Sequence, residues 1–286
     1  MLPSVSTRYI ALLGKPLGFS RASAMQNAAL RACRLDALYF PLECTEDDLS
    51  VLLPAFRRMP FLGFAVTKPL KMKILDYLDS VDLMAGQIGA CNTVKMENGC
   101  LVGYNTDGTG FVQALAEQID FTGKNMLVLG AGGAARAISF ACAVHGIGGI
   151  QVMNRTPANA QALARDLIHG TGISAEALPY CAQIPRDIMQ QVDILVNATG
   201  LGMQPYVGRS PLAPDCLMPH VLVCDLAYNP SETQLLLDAK KIGCRTMNGF
   251  QMAVYQGAHQ FERLTGHQAP YEQMLSHMQR RGRKGG

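Results

Sequence analysis

The residues of this 286-residue chain that most directly constrain a chemistry are a run of small ones, Gly130-Ala131-Gly132-Gly133-Ala134-Ala135. The run follows an apolar stretch, 125–129, and opens a segment of helical periodicity that lasts to about Val144. In the pattern Gly130-x-Gly132-x-x-Ala135, Gly130 permits a tight turn and Gly132 lets backbone approach a pyrophosphate. Ala135 lets helix and strand pack closely, and the helix N-terminus faces the anion. A second apolar run, 150–153, closes the βαβ unit and ends in Asn154-Arg155-Thr156. An acid there would hold a ribose 2′-hydroxyl, whereas Arg155 suits a 2′-phosphate, so the pattern predicts NADP in preference to NAD. A solvated Arg155 is the plainer alternative, but it does not account for the missing acid.

Such residues need parallel strands to hold them, and short apolar runs do alternate with amphipathic stretches along the chain. Strands are expected at 9–13, 38–42, 63–67, 193–196 and 221–225. Helices are expected at 23–30 with Ser23 as cap, from Thr45 towards Arg58, over 70–78 once Pro69 has ended a strand, at 111–119, at 233–241, and beyond Gly249. Asn98-Gly99 between two apolar runs predicts a hairpin.

Composition removes several classes of function. Hydrophobic residues at 49% and charged ones at 16% describe a globular chain. No apolar run approaches the roughly 20 residues of a membrane span, and the N-terminus lacks a signal peptide's layout, so a cytoplasmic protein without membrane contact is expected. The net charge of +3 resides in Arg280, Arg281, Arg283 and Lys284, which leaves the rest near neutral and predicts no nucleic-acid partner. Nine cysteines include no Cys-x-x-Cys pair and six histidines are scattered, so neither a disulfide framework nor a metal site is expected.

The motifs, taken in order, resemble those of the shikimate dehydrogenase family with its quinate/shikimate and shikimate-dehydrogenase-like relatives. They are Val66-Thr67-Lys68-Pro69-Leu70-Lys71, Ile88 to Val94, Gly103 to Gly108, Gly130 to Ala137, Asn154-Arg155-Thr156, Asn197 to Met203, Asp225 to Pro230 with Thr233, and Gly249-x-x-Met252-x-x-x-Gln256. The resemblance implies an α/β fold: an N-terminal α/β substrate domain (1–107 with 249–286), an NADP-binding Rossmann domain (108–248), and C-terminal helices returning to the first domain. It implies reversible, NADP-dependent reduction of 3-dehydroshikimate to shikimate, with Lys71 and Asp107 as the catalytic pair. The residue types suit that task, since an alcohol losing hydride must also lose its hydroxyl proton, and an amine beside a carboxylate can take and return it. The resemblance places Thr67, Asn92 and Gln256 on the ring hydroxyls of a small hydroxylated ring carboxylate, and Ser20 and Tyr228 on its carboxylate. It puts Gly130, Ala131, Gly132, Gly133, Ala134, Asn154, Arg155 and Thr156 on the dinucleotide, and Thr199, Leu226, Gly249 and Met252 near the nicotinamide. The expected assembly is a monomer or homodimer.

Departures from the family pattern gather at the substrate end. The family motif His-Ser-x-Ser-Pro stands here as Phe19-Ser20-Arg21-Ala22-Ser23, so Ala22 removes one hydroxyl from the carboxylate site. Ala65 replaces an asparagine, and Lys68 stands at a usually apolar position. A lost hydrogen bond to a charged group costs about 1.5–3 kcal/mol, and Lys68 or Arg21 is the cation available to replace it. Asn159 stands where a second basic residue often accompanies Arg155, which predicts a weaker NADP preference. Two alternatives follow: a paralogue acting on quinate or another hydroxylated ring acid, and a non-catalytic dinucleotide-binding sensor. Retention of Lys71, Asn92, Asp107 and Gln256 argues against the second.

Overall fold

The computed structural model describes residues 3–18 and 20–279; Phe19 and the basic cluster Arg280 to Lys284 lie outside the described residues. Contacts divide the chain into one unit made of residues up to Thr106 and from Val254 on, and another of Asp107–Ala253. The second crossing falls later than the 248/249 limit read from sequence because Gly249 is tied into the second unit. Its N–H donates to the Ala227 carbonyl at 2.9 Å, and a Cβ on it would stand 2.0 Å from the Leu226 carbonyl oxygen.

The first unit is built on a six-stranded sheet ordered β2-β1-β3-β5-β6-β4. Its elements are β1 (Arg8–Gly14), α1 (Ala22–Ala32), β2 (Ala37–Glu43), α2 (Glu46–Phe56), β3 (Phe61–Val66), β4 (Ser80–Val81), α3 (Leu83–Ile88), β5 (Thr93–Glu97) and β6 (Cys100–Tyr104). β1 pairs in parallel with β2 and β3, whereas β3, β5 and β6 are antiparallel neighbours. Asn98 and Gly99, both at positive φ, make the expected two-residue hairpin between β5 and β6. Phe56, Phe61 and Phe64 cluster with Leu13, Leu49, Leu53 and Val66 to form the core on one side of this sheet.

The second unit begins with α4 (Asp107–Ala116) and continues through β7 (Asn125–Leu129), α5 (Gly133–Val144), β8 (Gly149–Asn154), α6 (Pro157–Thr171), β9 (Ser174–Pro179), α7 (Arg186–Met189), β10 (Ile194–Asn197), β11 (Leu222–Asp225), α8 (Gln234–Ile242) and β12 (Arg245–Asn248). All strands pair in parallel in the order β12-β11-β10-β7-β8-β9. Read from β9, this is the dinucleotide-binding order 3-2-1-4-5-6, whose direction reverses between β7 and β10. α9 (Phe250–Thr265) and α10 (Tyr271–Gln279) close the chain.

Three local expectations change on folding. The 70–78 segment yields only a 3₁₀ turn, Lys73–Tyr77, because the Lys71 carbonyl accepts from the Cys91 N–H at 2.7 Å and is lost to an α-helix. α4 starts at Asp107 rather than 111, since Gly108 lets it lie against the backbone of α5, where a Cβ would stand 2.6 Å from the Ala137 carbonyl oxygen. Ser23 lies inside α1 instead of capping it, the cap position being Arg21. The short strands β4, β9 and β12 went unread in the sequence.

Candidate active site

In the first unit a polar cluster grows from Asn92, 2% exposed. Its Oδ1 accepts from the Thr106 N–H and from the Thr93 hydroxyl, each at 2.9 Å. Its Nδ2 donates to Thr106 Oγ1 at 2.9 Å and to Gln256 Oε1 at 3.4 Å. The Thr106 N–H, which can only donate, fixes which end of the amide faces it. Gln260, on α9, donates from Nε2 to the Asn92 carbonyl at 3.1 Å and to Thr93 Oγ1 at 3.0 Å. The residues come from the start of β5 and the segment just before it, from the segment just after β6, and from α9, so side-chain hydrogen bonds between these segments and α9 join residues more than a hundred apart. Asn92 and Gln256 were expected from the resemblance; Thr106 and Gln260 were missed, although Thr106 lies within one of the motifs.

The backbone gathers the remaining first-unit residues. Thr67 follows β3 and donates its N–H to the Leu13 carbonyl at 2.8 Å, while the Val66 N–H donates to the Asn92 carbonyl at 2.8 Å. The bond from Cys91 N–H to the Lys71 carbonyl joins the Lys71 segment to the one carrying Asn92. Lys71 is half-buried, and Asp107, directly after Thr106, is 4% exposed. Ser20 is exposed before α1, and its Oγ accepts from the Ala22 N–H at 3.3 Å. Of the two replacement cations, Arg21 is engaged, its guanidinium donating to the Met278 carbonyl at 3.0 Å. Lys68 is exposed; its carbonyl accepts from the Lys15 N–H at 3.1 Å, and its side chain has no hydrogen bond or ion pair among the described residues.

In the second unit the strand order reverses between β7 and β10, the place where open parallel sheets bind ligands beyond the carboxyl ends of their strands. Gly130 follows β7 at φ +111°, and a Cβ there would meet the Ala198 carbonyl oxygen at 3.0 Å, so the loops after β7 and β10 touch. Gly132 is the exposed N-cap residue of α5, makes no side-chain cap bond, and has open space where a Cβ would stand. Ala131 and Ala135 are buried behind it, with Gly133 and Ala134 partly exposed. At the end of β8, Asn154 Nδ2 donates to the Thr156 carbonyl at 3.0 Å. Arg155 is exposed with no hydrogen bond or ion pair among the described residues.

The loops after β10 and β11 carry Thr199, Leu226 and Tyr228. Thr199 is exposed and donates from both its N–H and its hydroxyl to Asn197 Oδ1. Leu226 and Tyr228 are half-buried, Gly249 packs on the Leu226 carbonyl, and Met252 is 7% exposed at the start of α9. Behind these loops Asn197, Asp225 and Thr233, each 1% exposed, form a hydrogen-bonded group to which the motifs alone assigned no role. Burial pushes the Asp225 carboxyl above its ordinary value, opposed by bonds from Ala227, Thr233 and Asn197. No group of His, Cys, Asp and Glu among the described residues could hold a metal, and no described helix is long and apolar enough to cross a membrane.

Comparison with known families matches residues 12–94 to the shikimate dehydrogenase substrate binding domain, 113–229 to shikimate / quinate 5-dehydrogenase, and 249–279 to the shikimate 5'-dehydrogenase C-terminal domain. Shikimate dehydrogenase (NADP(+)) of Moorella thermoacetica is 43% identical over 93% of this chain and 90% of its own length. The crystal structure of shikimate 5-dehydrogenase from Thermus thermophilus in complex with NADP(H) and shikimate superposes with a TM-score of 0.84 at 36% identity, covering 96% of this chain and 99% of that one. Shikimate 5-dehydrogenase from Listeria monocytogenes, in complex with shikimate and NAD, gives a TM-score of 0.88 at 35% identity, covering 96% and 97%.

Proposed function

The chain belongs to the shikimate dehydrogenase family, and from that premise we infer that it is an NADP-dependent oxidoreductase interconverting shikimate and 3-dehydroshikimate. The observation that carries this reading is similarity over nearly the whole chain to relatives named as NADP(+) shikimate dehydrogenases. The crevice fits a dinucleotide. The open space at Gly132, the absence of a side-chain cap on α5 and the exposed Arg155 leave donors where a pyrophosphate and a 2′-phosphate need them. Gly130 to Ala134 hold the pyrophosphate and 154–156 the 2′-phosphate end, while Thr199, Leu226, Gly249 and Met252 line the nicotinamide end. When bound, the nicotinamide supplies and accepts a hydride.

This chain's own residues bind the ring and manage the proton. Thr67, Asn92 and Gln256 bond the ring hydroxyls, each of which both donates and accepts. With its Oδ1 held by Thr106 and Thr93, Asn92 meets the ring through Nδ2, exchanging its long 3.4 Å bond to Gln256 Oε1 for one to a ring hydroxyl. Ser20 and Tyr228 hold the carboxylate, and Lys68 supplies the charge that Ala22 no longer complements. Lys71 gives a proton to the carbonyl oxygen during reduction and takes it from the hydroxyl during oxidation, with Asp107 orienting the amine. The test is steady-state absorbance of reduced nicotinamide with shikimate and quinate, each with NADP and NAD. Fastest turnover is expected with shikimate and NADP. Faster turnover of quinate overturns the substrate assignment, and NADP binding without turnover of either acid overturns the catalytic one.

A further inference from the structure

Asp225 ends β11 and is 1% exposed, yet the proton and hydride chemistry makes no use of it. Both its oxygens are engaged. Oδ1 accepts the Ala227 N–H at 2.9 Å; Oδ2 accepts the Thr233 hydroxyl at 2.7 Å and Asn197 Nδ2 at 3.0 Å. With three donors aimed at it, the carboxylate fixes which way the Asn197 amide faces. Nδ2 turns to Asp225 and to the Leu201 carbonyl, leaving Oδ1 to take the Thr199 N–H at 3.1 Å and its hydroxyl at 2.7 Å. Thr199 Oγ1 in turn accepts the Leu201 N–H at 3.1 Å, which completes the loop after β10. On the other side, the Ala227 carbonyl takes the Gly249 N–H at 2.9 Å, so the turn held by Asp225 also fixes the entry to α9.

We propose that Asp225 is a positioning residue that, through Asn197 and Ala227, sets the two loops, 198–201 and 226–229, between which the nicotinamide seats. This rests on the functional reading above and deepens it. The pyrophosphate cradle hangs from β7 and α5, and it meets the loop after β10 only through backbone, the Ala198 N–H donating to the Leu129 carbonyl at 2.8 Å; among the described residues, no side chain of the Asp225 group bonds to the cradle. An amide at position 225 has one acceptor oxygen, which leaves one of the three donors facing an NH₂ group.

The experiment compares Asp225→Asn with wild type for NADPH and for 2′,5′-ADP, a probe that lacks the nicotinamide, alongside steady-state kinetics. The expected result is a kcat lower by about tenfold to a hundredfold, the scale of one lost hydrogen bond to a charged group. The KM for shikimate rises as well, because Tyr228 sits in the 226–229 loop; NADPH binds more weakly, and 2′,5′-ADP affinity is unchanged. The fluorescence of bound NADPH moves towards that of the free cofactor. Should Asp225→Asn fail to fold, Thr233→Val removes one donor while keeping the shape and is expected to shift kcat and NADPH fluorescence in the same direction, with Thr233→Ser restoring both. Unchanged kcat in the folded variants, or parallel losses of NADPH and 2′,5′-ADP affinity, overturns the proposal. A wild-type protein that fails to bind NADPH overturns the functional reading itself, an outcome seen before any variant is made.

Discussion

In the second unit the crevice residues hang from backbone groups at the ends of adjacent parallel strands, whereas the first unit assembles its polar cluster from side chains of residues 92, 93, 106, 256 and 260. Backbone-built sites depend on a few positions where no side chain fits, such as Gly249 beneath the Leu226 carbonyl. Side-chain-built sites depend on each polar group finding its partner. Most departures from the family pattern, Ala22, Ala65 and Lys68, lie on the side-chain-built side, where a single replacement retunes a ligand contact without disturbing the sheet.

The largest effect that sharpens this contrast is expected from Lys71→Ala. It lowers kcat by about a hundredfold to ten-thousandfold, the range for removing a general acid–base group, while NADPH binding measured by fluorescence stays intact. Next comes Asn92→Ala, which strands the Thr106 N–H and the Thr93 hydroxyl. It is expected to cost about 1–3 kcal/mol in denaturant unfolding and to raise the KM for shikimate. In the second unit the paired test is Gly249→Ala against Gly132→Ala. The first forces a Cβ onto backbone and destabilises by about 1–3 kcal/mol. The second enters open space, so its melting temperature holds while NADPH affinity falls; equal melting temperatures for the two would break the contrast.

A smaller effect separates the two cations at the substrate end. Lys68→Ala is expected to raise the KM for shikimate about tenfold at unchanged KM for NADPH, the loss of about 1.4 kcal/mol of binding. Arg21→Ala leaves both constants alone, because its guanidinium serves the Met278 carbonyl. Smallest is the acid limb of stability. The Arg57 guanidinium and then the Leu101 N–H hold the Asp79 carboxyl below its ordinary value of 3.8. Its stabilisation is therefore full above that value and is lost as pH falls through the lowered one. Asp79→Asn flattens this limb in acid titrations followed by circular dichroism and leaves neutral-pH activity unchanged.

What could be read from sequence follows the same division. Gly130 to Ala135 with its strand and helix is a contiguous signal, and β7 and α5 fall where that signal put them. Nothing local joins Asn92 to Gln256 or Gln260, so that cluster was reached only through resemblance, and Gln260 not at all. Elements whose limits are set by tertiary bonds were misread for the same reason. The 70–78 segment loses its helix to a carbonyl captured by Cys91, and Gly108 resembles a helix breaker until α5 packs against it. Asn197, Asp225 and Thr233 stood in plain view, but their shared hydrogen bonds exist only once β10 and β11 are adjacent.

The first unit is interrupted in sequence, and this has a consequence for the nascent chain. Residue 106 leaves the ribosome before Gly257 can accept from Gln26 or Gln260 can reach Asn92 and Thr93. All six strands of the first unit precede residue 107, but its closing helical segment from Val254 follows the second unit, which is continuous from Asp107 to Ala253 and can be complete before that segment emerges. Closing the first unit then requires joining ends separated by the whole of the second, a loop whose entropic cost is reduced when that insert is already folded. The half of the protein whose synthesis begins first is the half whose structure is completed last.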